Sequence, residues 1–300
     1  MGWLVDWLVG HAGVLLNGVA MGLLLFMMAV GLTIVFGLLD VLNLAHGALF
    51  LVGAYIGYRV AGETTVGWGG FGLALLVAVV VGALIGVALM LMTAPLVRRG
   101  HLDQALLTLG LSLVISELLL EMFGRNDHAV AVPKGLADSV VIFGAQYPVY
   151  RLGVIVLGAL VAAGVWYALE RTSAGALIRA TVADREMVEA VGIDVRKVTL
   201  VTFVLSAVLA VVAGVLSGPI KGATAGLGDE VLLLALAVIV IGGMGSVIGT
   251  LVGSLLIGLV QNLGAVLLPQ LSSFLLFGAM VLVIVFRPQG LFPTVAAVER

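Results

Sequence analysis

Eight apolar stretches, nearly free of charge, dictate what this 300-residue chain can fold into. They run Val14–Leu39, Leu44–Val60, Phe71–Met92, Ala105–Phe123, Leu152–Leu169, Val198–Ser217, Val231–Leu268 and Phe274–Phe286. A helix of about 20 apolar residues crosses a bilayer, and within hydrocarbon such a stretch must satisfy its own backbone hydrogen bonds. The seventh stretch is interrupted at Gly242-Gly243-Met244-Gly245-Ser246, where Gly242, Gly243 and Gly245 mark a helix break. Composition agrees: 62% of residues are apolar and 10% charged, against roughly 45–50% and 25% in soluble domains. The expectation is an all-α polytopic transmembrane bundle, one domain over residues 1–300, with about seven to nine membrane segments including broken or re-entrant helices.

Several function classes fall away. A net charge of −2 and the lack of any basic run give no footing for nucleic acid. The absence of cysteine excludes disulfides, cysteine metal sites and thiol catalysis. The four histidines form no HxxxH or HExxH spacing, so no metal site is expected. There is no GxSxG and no GxxxxGK[ST], so any ATP hydrolysis must come from another chain. The N-terminus lacks the basic region of a signal peptide, and the first span would direct insertion.

The one long charged island is Glu170–Lys197, with five basic and five acidic residues in 28 positions. Thr181 followed by Asp184 offers a helix-capping pattern and Gly192 a stop. Between them, Met187, Val188, Ala190 and Val191 alternate with Arg185, Glu186 and Glu189, a short helix that a soluble partner could grip. The positive-inside rule assigns Arg98-Arg99, the island and Arg287 to the cytoplasm. Residues 124–151 then form the largest external surface. Two points stay open. Val231–Ile241 is half a span, so the glycine cluster is either a turn between tilted helices or a re-entrant dip. Leu39–Asn43 is either a full turn, which places the N-terminus outside, or a break within the bilayer.

Polar residues within spans mark candidate pathways. Asn43 and His46 sit between the first two spans, Thr108 and Ser112 lie deep on the fourth, and Glu117 and Glu121 lie in its outer half. Gln261 and Asn262 interrupt the span after the glycine cluster. Together they suggest a polar path with Glu117 near its external mouth. Capping of the second span by Asn43 and His46, and solvation of Glu121 at the interface, are the structural alternatives. Glycines four apart, at 18/22, 53/57, 82/86 and 245/249/253, place small residues on one helix face for close packing.

Three segments resemble the permease subunits of branched-chain amino-acid ABC transporters. They are Gly31–Tyr58 with Asn-Leu-Ala-His-Gly at 43–47, Arg179–Asp194 (RATVADREMVEAVGID), and Ile241–Gly253 (IGGMGSVIGTLVG) followed by Arg287–Phe292 (RPQGLF). The short N-terminus looks more like the first permease of the usual pair. The resemblance implies an ABC importer permease bundle in the inner membrane of a prokaryote, paired with a second homologous permease. Two ATP-binding subunits and an external solute-binding protein would complete the machine. This chain would bind no cofactor, with ATP and Mg held by the partner subunits. Ala183–Gly192 would be the coupling helix, with Ala183, Asp184, Arg185, Met187, Val188, Glu189, Val191 and Gly192 meeting the ATPase. The implied cargo is leucine, isoleucine and valine. Alternatives are a permease for urea or short amides, and a stand-alone secondary transporter or channel, whose internal repeat and paired midplane charges are not evident.

Overall fold

A computed structural model describes residues 2–39, 43–62, 66–96, 100–142 and 145–292. In order these form α1 (Gly2–Leu39), α2 (His46–Ala61), α3 (Trp68–Thr93), α4 (His101–Phe123), a hairpin of β1 (Ser139–Ile142) and β2 (Ala145–Pro148), and α5 (Val149–Arg171). Then follow α6 (Ser173–Ala183), α7 (Arg185–Ala190), α8 (Val195–Lys221), α9 (Leu227–Gly242), α10 (Val247–Leu267) and α11 (Ser272–Phe286). Among the described residues, six helices are long and apolar enough to cross a membrane: Gly10–Phe36 within α1, α3 with its extension to Leu96, α4, α5, α8 and α10. Helices α2 and α9 have 16 residues each, about 24 Å at 1.5 Å per residue, short of the ~30 Å hydrocarbon layer. Both are lined with buried residues. They are interior elements: α2 packs chiefly on α8, α3 and α9, and α9 on α10, α2 and α1.

Burial ranks the helices. The apolar windows of α1 and α8 are 78% and 61% buried, that of α4 only 11%, so α1 and α8 form the centre and α4 lies outside. The glycine spacing explains how the centre closes. A Cβ on Gly18 or Gly22 of α1 would stand 2.9 Å from the Cα of Leu259 or Leu255 on α10. Gly82 and Gly86 of α3 meet Val208 and Val204 of α8 in the same way. Where backbones approach this closely, packing replaces the hydrophobic drive that lipid cannot supply. A buried hydrogen bond of 2.8 Å between Thr33 and Thr250 adds a polar tie between α1 and α10.

Packing shows which ends of the interrupted segments meet. Gly242 lies against Gly249, and Gly253 against the Val238 carbonyl, so α9 and α10 form an antiparallel helical hairpin with a tight turn at Gly243–Ser246. Ser246 caps α10 by accepting from the Gly249 N–H at 3.0 Å. The start of α9 meets the start of α2, where Gly47 and Gly228 come into backbone contact. At one end of the bundle, Arg151 of α5 donates to Asn17 of α1, and Gly62 after α2 accepts from Ala131. The N-terminal half of α1 and the C-terminal end of α2 therefore share the end that carries residues 124–151. Residues 40–42, within the expected break at Leu39–Asn43, lie outside the described residues, as do Arg98 and Arg99.

Residues 124–151 combine packed and projecting parts. Val130 packs on Gly57 and Gly218, Ala131 is buried, and His128 exchanges backbone hydrogen bonds with Ala223. Tyr58 stacks on His128 with ring centroids 4.2 Å apart. The segment is apolar at 129–133, and the ends of α2 and α8 offer it glycines to pack on. The β1–β2 hairpin is the part that projects, with Val141 71% exposed.

Candidate functional site: a capped surface helix and a buried polar break

The charged island folds as two helices joined by a bend, not one. Thr172 caps α6, accepting from the Gly175 N–H at 3.1 Å. Thr181 is buried inside α6 with its hydroxyl on the Leu177 carbonyl, so it is not the cap. The cap of α7 is Asp184, whose Oδ1 accepts from the Met187 N–H at 2.9 Å. Asp184 wins because a β-branched residue on the buried face of an established helix has no free N–H to reach. Ala183 accordingly ends α6, and α7 covers Arg185–Ala190 within the expected 183–192.

Gly192 stops α7 as its sequence position implies. Its φ is +85°, a conformation that costs other residues dearly. The Gly192 N–H reaches Glu189 O, and the Ile193 N–H reaches Val188 O, which is the Schellman closure. Around this short helix, Val188 is buried and anchors it to the chain, while Met187 and Val191 are 60% and 67% exposed. Arg185 and Glu189 pair at 3.2 Å across one turn. Such exposed pairs contribute at most about 1 kcal/mol, so the charges shape the surface more than they hold the fold. A groove of ≈ 690 Å³ separates α7 from the ends of α3 and α8, and Arg185, Glu189, Asp194 and Arg196 line it.

The second constellation lies inside the bundle. Asn43 Oδ1 accepts from the Ala45 N–H at 3.2 Å, and its carbonyl accepts from His46 N. Thr108 of α4 accepts from the Leu44 N–H at 3.1 Å. The start of α2 is thus capped within the protein, which satisfies its non-helical backbone away from water. His46 is fully enclosed beside the Met28 backbone. Ser112 lies buried one turn beyond Thr108. Gln104 completes that buried stripe on α4, and its spacing of four before Thr108 was the available signal.

Glu117 does not join this set. It is 60% exposed and paired with Arg125, on the outer face of α4. The glycine break also acquires a partner: Leu291 N and Phe292 N donate to the carbonyls of Ile241 and Gly242, at 2.9 and 3.0 Å. Gly290 lies so close that a Cβ would stand 2.5 Å from Gly243. The glycine cluster and the RPQGLF segment are therefore one structural unit, the latter capping the carbonyl end of α9.

Comparison with known proteins follows the same outline. Residues 14–285 match the family model described as branched-chain amino acid transport system / permease component. The high-affinity branched-chain amino acid transport system permease protein BraD of Pseudomonas aeruginosa is 28% identical over 92% of this chain and 94% of its own. The corresponding LivH of Escherichia coli is 26% identical over 92% and 93%. A probable LivH of Methanocaldococcus jannaschii is 28% identical over 92% and 89%. No solved structure matches. The matched range includes the buried break, the capped surface helix and the glycine turn, and the chain belongs to the branched-chain amino acid transport system permease family.

Proposed function

We propose that this chain is one permease subunit of an ATP-driven importer for leucine, isoleucine and valine, in the inner membrane of a prokaryote. The observation that carries the reading is similarity over 92% of the chain to permease proteins of branched-chain amino acid systems. The partners are a second homologous permease, two ATP-binding subunits and an external solute-binding protein, with ATP and Mg held by the ATPases. The segment 183–192 couples the subunits. Its exposed Met187 and Val191, flanked by Asp184, Arg185 and Glu189, suit a groove on a soluble partner. The anchoring of Val188 and the closure at Gly192 keep α7 from folding away.

The translocation path in this reading runs past Asn43, His46, Thr108 and Ser112, with Glu117 on the α4 face that a second permease would cover. Alternating access needs elements able to shift against one another, and the short helices α2 and α9, meeting at Gly47 and Gly228, are placed for that. For Glu117, the exposed pair with Arg125 makes a clean test. Glu117→Ala should leave the yield of folded protein within about 1 kcal/mol of its original stability, while lowering uptake several-fold. Unchanged uptake removes Glu117 from the path.

Purification of the tagged chain in mild detergent, followed by mass spectrometry of co-purifying chains, tests the assembly. Two ATP-binding proteins and a second permease are expected. A clean homo-oligomer, under conditions that preserve a known transporter complex, would favour a stand-alone transporter.

A further inference from the structure

At the end of the bundle that carries residues 124–151, four helices bring Asn17, Arg151, Lys221, Gln261 and Asn262 to the wall of one cavity of ≈ 250 Å³. Most polar side chains in this bundle behave differently. Thr93, Thr199, Thr202, Ser217 and Ser254 each donate to a carbonyl three or four residues back on their own helix. Such hydroxyls are satisfied locally; of the cavity residues only Asn262 makes a bond of this kind, to the Gly258 carbonyl, and its amide oxygen is left over. The cavity residues come from α1, α5, α8 and α10, and converge.

Their hydrogen-bonding capacity is only partly used. Arg151 Nη1 donates to Asn17 Oδ1, Lys221 Nζ lies 2.6 Å from Glu230, and Asn262 Nδ2 donates to the Gly258 carbonyl at 2.9 Å. That leaves the remaining N–H groups of the Arg151 guanidinium and the Asn262 carbonyl oxygen. Among the described residues the Gln261 side chain has no hydrogen-bond partner at all. The wall thus combines fixed cations, which suit a carboxylate, with amide oxygens, which suit an ammonium. Met21 and Ile220 supply apolar surface between them. The volume lies below the roughly 300–1,000 Å³ of sites for drug-sized ligands, as a small zwitterion requires.

We infer that this cavity is the chain's own binding site for a zwitterionic amino acid with an apolar side chain. Arg151 receives the carboxylate, and the carbonyl oxygens of Gln261 and Asn262 receive the ammonium. The inference rests on the amino-acid importer reading and locates where this subunit first holds its cargo.

The test is binding of radiolabelled leucine to the full-length chain in lipid nanodiscs, with leucinol, which lacks the carboxylate, as competitor. Leucinol should compete at least tenfold more weakly than leucine. Arg151→Gln and Gln261→Leu should each weaken leucine binding at least tenfold. Among the described residues Gln261 makes no side-chain hydrogen bond, so its variant keeps the test open even if loss of the Arg151–Asn17 bond perturbs folding. Equal competition by leucinol, unchanged binding in folded Gln261→Leu, or no leucine binding by the unaltered chain would overturn the inference. Leucine binding of the expected kind, with no ATP-dependent leucine uptake by the complete complex, would instead sink the importer reading and leave the site standing.

Discussion

Gly214→Leu is expected to remove nearly all folded protein from the membrane. A Cβ at Gly214 would stand 2.0 Å from the Phe50 carbonyl oxygen and 2.9 Å from the Gly53 Cα. Gly53 faces the reciprocal wall, with its Cβ position 2.0 Å from the Val211 carbonyl oxygen. The obstruction on both sides is helical backbone, which cannot rotate aside as a side chain can. Overpacking a core costs typically 1–3 kcal/mol when side chains can adjust, so separation of two central helices should exceed that range. Gly110→Leu is the matched control, because nothing stands within 4 Å of its Cβ position. Yield and monodispersity in fluorescence-detected size exclusion would report the difference. Equal losses at Gly110 and Gly214 would contradict the packing described for α2 and α8.

The exchange Arg185→Glu with Glu189→Arg should abolish transport while leaving insertion and folding intact. The two side chains pair at 3.2 Å one turn apart, and the exchange preserves such a pair within the helix. What changes is the order of charge presented beside Met187 and Val191. Like charges brought together at an interface cost several kcal/mol, enough to reduce docking of an ATPase by two orders of magnitude or more. Uptake and co-purification of the ATPases are the readouts. Normal uptake by a well-folded exchange variant would remove 183–192 from the coupling role.

Features encoded locally were legible in the sequence. Glycines four apart share a helix face whatever surrounds them, and the pairs at 18/22 and 82/86 do face a neighbouring backbone. The stop at Gly192 and the break at Gly242–Gly245 follow from backbone chemistry at single positions. Thr181 misled because a capping pattern says where a helix can begin, and α6 was already under way. What stayed hidden depends on partners distant in sequence. Nothing local pairs Gly47 with Gly228, folds RPQGLF onto the end of α9, or buries Val130 against Gly57 and Gly218. The depth of Glu117 on α4 was visible in the sequence, whereas its pairing with Arg125 depends on how α4 sits. Asn17, Arg151 and Lys221 each read as polar residues near a helix end, and only the bundle gathers them with Gln261 and Asn262 around one cavity.

The central claim is that this chain forms a translocation path opened by partner ATPases. Radiolabelled leucine uptake into proteoliposomes tests it most directly, using the co-purified complex with solute-binding protein outside and ATP or a non-hydrolysable analogue enclosed. Accumulation of leucine only with hydrolysable ATP, lost without the ATP-binding subunits, is the expected result. Uptake by this chain alone under a proton or sodium gradient, independent of ATP, would contradict it.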